Sequence, residues 1–191
     1  MNDPEVKQEG NLVLGDQAAG SIDKSTRSYN FPKPQQSAST MARLLKRFEY
    51  ERTNNITLKG YIEELNHYYS PVEGDVIGLE QKLKDGKAEN FLKFALSTKE
   101  RFYKRLTKFE LYESAQKINA HLLALVITYF ELQIAPRIRQ GLKEDELGTV
   151  IKEFIIEPLL REVEDNSLGF DAEDIAGMLF FLTGNCHLTW K

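Results

Sequence analysis

The chain holds a single cysteine, Cys186. An internal disulfide framework and a four-cysteine zinc site are therefore both excluded. A lone thiol fits a reducing compartment, and a cytoplasmic location is the expectation. Histidine is equally sparse, with His67, His121 and His187 alone. No surplus of positive charge exists: the formal net charge is −4, so bulk attraction to nucleic acid is not expected. Long hydrophobic runs are missing too. The most apolar stretch, residues 122–130, falls short of the ~20 residues a bilayer span needs, and Glu131 and Gln133 follow it directly. A buried core helix is expected there. The first residues show neither the basic cluster nor the apolar stretch of a secretory signal. No Ser–His–Asp spacing and no framed pair of catalytic carboxylates occur. The chain is expected to be no enzyme and to carry no cofactor or metal.

What is present divides at about residue 40. Residues 1–40 are rich in Gly, Ser, Pro and Gln and hold few large apolar side chains, too few for a core. Pro32, Pro34 and the following polar residues read as a linker. Residues 41–191 carry helical periodicity nearly throughout. The spacing predicts helices over 41–52 with Thr40 as N-cap, 58–69, 76–85 opened by Asp75 and closed by Gly86, and 88–109. A central helix is predicted over 111–135, ending before Pro136, with Ser114 on its polar stripe. Another follows over 146–164, with Pro158 as a kink or restart. A last one, over 172–182, is capped by Asp171 and ended by Gly184. The predicted class is all-α: a single helical domain over 41–191 with an extended C-terminal tail, preceded by a flexible or short-strand-forming N-terminal segment.

Four features could carry chemistry. Cys186 and His187 are neighbours, and adjacent residues of an extended chain point to opposite faces. They cannot easily form a thiolate–imidazole pair, so a docked tail containing Gly184, Asn185, Cys186, His187 and Trp190 is expected. Glu64 and His67 have the Glu-x-x-His spacing of di-iron bundles, but no second such motif occurs. Gly15 and Gly20 have P-loop spacing, but Ser21 stands where the lysine is required. Finally, Arg101, Lys104, Arg105 and Lys108 share one helix face. That face is either solvated, or meets acidic residues 143–147 and 161–165, or binds phosphates. The last gives the alternative function of a nucleic-acid-binding module.

The segment "GNLVLGDQAAGSID" (10–23) remains. Its short apolar pieces are separated by glycines. It is either a disordered tail or an element whose strands pair between copies. In the second case Gly10, Leu12, Leu14, Gly15, Asp16, Gly20 and Ile22 form the assembly surface, and the chain is a homo-oligomer.

"GDQAAGSIDKST" (15–26) resembles the glycine–aspartate motif that precedes many prokaryotic conflict-system domains. "LYESAQKINAHLLALV" (111–126) and "GMLFFLTGNCHLTW" (177–190) resemble the C-terminal domain of the bacterial ABC-three-component conflict systems. The resemblance implies a defence role beside an ABC-type ATPase and a small middle component. Members often bear an N-terminal effector domain, and 40 residues are too few for one. A non-enzymatic scaffold or adaptor is therefore implied, with Cys186 and His187 in a structural signature and Trp190 as an anchor.

Overall fold

The computed structural model describes residues 39–70, 77–163 and 167–191. The assembly segment expected around Gly10, Leu12, Leu14, Gly15, Asp16, Gly20 and Ile22 lies outside the described residues. Among the described residues all regular structure is helical, which is the all-α class predicted.

Helix α1 spans Thr40–Thr53 and buries Met41 and Phe48. Its cap is Ser39 rather than Thr40: the Ser39 hydroxyl accepts the Ala42 N–H at 3.0 Å. Residues 58–62 depart from the predicted helix, and α2 is the shorter Glu63–Tyr69. The reason is a competing set of hydrogen bonds. Gln116 accepts the Ile62 N–H at 2.7 Å and donates to the Gly60 carbonyl at 2.8 Å, while Leu58 N–H donates to Leu111 O at 2.7 Å. Gly60, at φ +90°, makes the turn that brings its carbonyl there.

Helix α3 spans Leu79–Asp85 and closes at Gly86 as expected, though it opens after Gly78. The predicted start, Asp75 and Val76, lies outside the described residues. A 3₁₀ turn, Glu89–Phe91, leads into α4, Leu92–Phe109, which buries Ala95, Thr98, Phe102 and Leu106.

The central helix does not stop before Pro136. Helix α5, Glu113–Tyr129, passes through a π turn, Phe130–Ile134, into α6, Ala135–Arg139. The same happens at the second proline: α7, Glu144–Ile151, runs through a π turn, Lys152–Ile156, into α8, Glu157–Glu162. Each π turn ends two residues before a proline. Proline has no N–H for the carbonyl four residues back and its ring crowds that carbonyl. The ladder widens by one residue, so Ala135 N–H reaches Phe130 O and Glu157 N–H reaches Lys152 O. By length and composition Glu113–Arg139 could cross a membrane, yet half of its apolar window is buried. Its core side meets α1, α2 and α9, as a core helix should.

Ser114 is buried rather than on the polar stripe. Its N–H (3.0 Å) and hydroxyl (2.6 Å) both donate to Glu51 of α1, which also accepts Arg47 Nε at 2.8 Å. Burial pushes the Glu51 carboxyl up, but these hydrogen bonds outweigh it and hold the group below its ordinary value. Glu51 thus closes the N-terminus of α5 from another helix.

Helix α9, Ala172–Gly184, has the predicted Asp171 cap in full. Asp171 accepts the N–H groups of Glu173 and Asp174 at 3.0 Å, and Asp174 accepts the Asp171 N–H at 3.2 Å. It lies across α4 at Gly177, where an added Cβ would stand 2.3 Å from Thr98 O and 2.7 Å from Phe102 Cβ. Only glycine permits that crossing.

Candidate functional site

Several of the described residues that drew attention in the sequence meet at α9: Arg101 and Arg105 at its N-terminal cap, and His67 beside its C-terminal tail. Gly184 is the last residue of the helix, two beyond the predicted end. The tail then turns rather than running extended throughout, because Cys186 takes a left-handed conformation, φ 63°. The Asn185 amide donates to Tyr68 O at 2.9 Å, and His187 N–H donates to Leu182 O at 3.0 Å. Trp190 is buried. Its ring stacks on Phe180, with centroids 6.4 Å apart at 11°, and meets Phe130 at 5.2 Å. Its Nε1–H donates to the Thr183 hydroxyl at 3.0 Å, which donates in turn to Leu179 O at 2.8 Å. The buried Lys82 ammonium donates to Thr183 O at 2.7 Å, satisfying a carbonyl at the helix end. Gly86 lies flat against the indole; a Cβ there would come 2.7 Å from Trp190 Cβ.

Cys186 and His187 diverge. The thiol faces Ile77 O at 3.8 Å. The imidazole packs against His67 at 5.4 Å and Tyr68 at 5.6 Å between ring centroids. Burial, then the neighbouring charges of His67 and Lys82, push the His187 pKa down against hydrogen bonding of the ring to the Tyr68 and Ser70 backbone carbonyls. Its Nε2 is buried without a hydrogen-bond partner among the described residues. His67 of the Glu64–His67 pair thus faces another histidine, and no group of three or more His, Cys, Asp or Glu among the described residues could hold a metal.

The basic face is the sequence expectation that changes most. Arg101 and Arg105 are not free. Arg101 pairs with Asp171 and Glu173 and places Nε 3.3 Å from Asp174. Arg105 is half-buried, bonds Asp174 at 2.9 Å and the Leu168 carbonyl, and lies 4.2 Å from the centre of the Phe170 ring. Burial pulls the Arg105 guanidinium down, opposed by the two aspartates. Among the described residues the acidic partners of these arginines are those of the α9 cap; of the expected acidic segments, residues 164 and 165 lie outside the described residues. Lys104 is exposed and pairs with Glu100 at 2.7 Å, and Lys108 lies over Phe109 at 5.1 Å. A stripe that reads as a solvated or phosphate-binding face is, in its two arginines, the bracket joining α4 to α9. The signal for it was present: an Asp-x-x-Asp cap on one helix and arginines at i, i+4 on another.

A groove of about 570 Å³ opens beside the tail, lined in part by Tyr69, Leu96, Lys99, Tyr103 and Phe181. Its floor is aromatic, and Lys99, Glu100 and Asn185 supply its polar groups.

No curated protein and no solved structure matches the chain. Residues 78–190 match the family model described as C-terminal domain 9 of the ABC-three component (ABC-3C) systems. That span starts at the cap of α3 and ends on Trp190, so it takes in the arginine bracket and the anchored tail. The chain belongs to this family and is a component of a multi-component ABC-3C system.

Proposed function

We propose that the protein is a non-enzymatic scaffold or adaptor of a bacterial conflict system. It assembles through residues 10–23, and its helical domain docks an ABC-type ATPase and a middle component in the cytoplasm. The observation that carries this reading is the use to which the chemistry-bearing side chains are put. Arg101, Arg105, Asp171, Asp174 and Lys82 close the fold. Cys186 and His187 point away from each other within the family's own span. Nucleic-acid binding through Arg101, Lys104, Arg105 and Lys108 is the weaker reading, because two of those four charges are neutralised within the fold.

Light scattering on the full chain and on a chain lacking residues 1–38, which keeps the Ser39 cap, tests the assembly role. The expected outcome is a larger assembly for the full chain, lost on truncation. Co-purification with the ATPase and middle component of the same system tests docking. Equal masses for the two chains, or no co-purification, would overturn the corresponding half of the reading. Hydrolysis of peptide or nucleic acid abolished by one substitution would overturn the whole.

A further inference from the structure

The spacing of the α4 stripe, i, i+3, i+4 and i+7, occurs a second time, on α1. There Arg43, Lys46, Arg47 and Tyr50 fall within about 100° of arc at 100° per residue, on the side opposite the buried Met41 and Phe48. All four are exposed, Tyr50 at 55%. The α4 stripe spends its arginines inside the fold and carries no aromatic ring among its cations. The α1 stripe differs on both counts.

Its cations are left over after the fold is satisfied. Arg43 donates to the Thr40 hydroxyl at 3.3 Å, and neither it nor Lys46 has an ion-pair partner among the described residues. Arg47 gives Glu51 its Nε, at 2.8 Å, and its terminal nitrogens have no hydrogen-bond partner among the described residues. Glu51 is 2% exposed and is held in place by the Ser114 N–H and hydroxyl. A buried carboxylate therefore fixes the guanidinium at one edge and leaves the fork, the phosphate-binding part, open to solvent. Three cations stand against one carboxylate, and that carboxylate also serves the N-terminus of α5. Glu113, whose charge reaches Arg47, is paired with Lys117. Glu49 lies outside the arc, about 60° beyond Lys46.

Cations alone would suit any acidic partner, and the ring decides between partners. Tyr50 stands among the three, with the Arg47 guanidinium 5.8 Å from its ring centre. An exposed ring flanked by cations gives a base a stacking surface beside contacts for its phosphates. A single strand has base faces to offer there; a duplex keeps its own stacked. The net charge of −4 supplies no bulk attraction, so binding depends on this local arrangement. Helix α1 lies outside the family span, residues 78–190.

We propose that the outward face of α1, formed by Arg43, Lys46, Arg47 and Tyr50, binds single-stranded nucleic acid, with phosphates on the cations and one base stacked on Tyr50. This surface does not depend on the scaffold reading: either can fail while the other holds. The test is fluorescence anisotropy of the full-length protein with labelled oligouridylate, oligothymidylate and a DNA duplex, each about 20 nucleotides long, which exceeds the ~4–16 nucleotides of known single-strand sites. At low salt a single strand is expected to bind and the duplex to bind less; the ratio of the two single strands tells RNA from DNA. Three neutralised phosphates give log affinity against log salt a slope of about −2. Arg43→Ala and Lys46→Ala should each flatten it by about 0.7. Tyr50→Ala should weaken binding at least about fivefold and leave the slope unchanged. All three side chains are exposed, and circular dichroism checks that the variants fold. No binding of either single strand at low salt would overturn the proposal. So would a duplex bound as tightly as the single strands, a slope that neither cation variant moves, or a Tyr50→Ala chain of unchanged affinity. A loss that follows Lys104→Ala and Lys108→Ala on α4 instead would overturn it as well.

Discussion

His187 is a base held neutral by its surroundings. It is packed against His67 and Tyr68, with the Lys82 charge nearby and Nε2 lacking a partner among the described residues. Its folded pKa lies below the ordinary histidine value of about 6.5. Between those two values the unfolded chain binds more protons than the folded one. The contribution to stability is therefore complete above about pH 6.5 and is lost as the pH falls toward and through the folded value. Urea melts from pH 8 to pH 5 should show declining stability across that window. A His187→Gln variant should show a flatter profile, and an unchanged slope would remove His187 as the cause. The sequence could place His187 on a docked tail. It could not show His67 beside it, because the two lie on separate elements joined only by tertiary packing.

At the scale of elements, the bracket between α4 and α9 turns on Asp174, which is 1% exposed and accepts from both arginines and from the Asp171 backbone. Removing one member of a buried pair strands the other. Asp174→Ala is expected to cost about 3–5 kcal/mol in equilibrium unfolding. Arg105→Ala added to it should cost much less than the two separate losses summed, with a coupling of at least ~1 kcal/mol. Additive losses would show that the pair is not the source of the effect. These elements were unevenly legible. Apolar spacing located α1, α4 and α5, and the Asp171 cap announced α9. Pro136 and Pro158 suggested breaks, but a π turn lets a helix pass a proline by widening one hydrogen-bonded ring. Residues 58–62 have helical spacing, and the Gln116 side chain, more than fifty positions away, takes their backbone instead. The arginine stripe looked solvated because its partners are remote in sequence.

For the helical domain, one crossing sets the architecture: α9 laid on α4 at Gly177, with α5 to α8 threaded between them in the chain. The groups that meet there, such as Arg101 and Asp174, are 73 residues apart. An all-helical domain usually draws on local contacts and folds fast. Here a long loop must close before the principal helix pair gains anything, and that entropy is spent first. The domain is therefore expected to fold more slowly than its helix content suggests, with α4–α9 docking late. Gly177→Ala, which drives a methyl into the Thr98 carbonyl, should cost at least about 1–3 kcal/mol. In stopped-flow experiments most of that cost should appear as faster unfolding, because a contact absent from the transition state leaves the folding rate nearly untouched. A matching fall in the folding rate would instead place the crossing in the nucleus. In the first case the contact that gives the domain its shape sets how long a folded chain stays closed; in the second it also sets how long a newly made chain stays open.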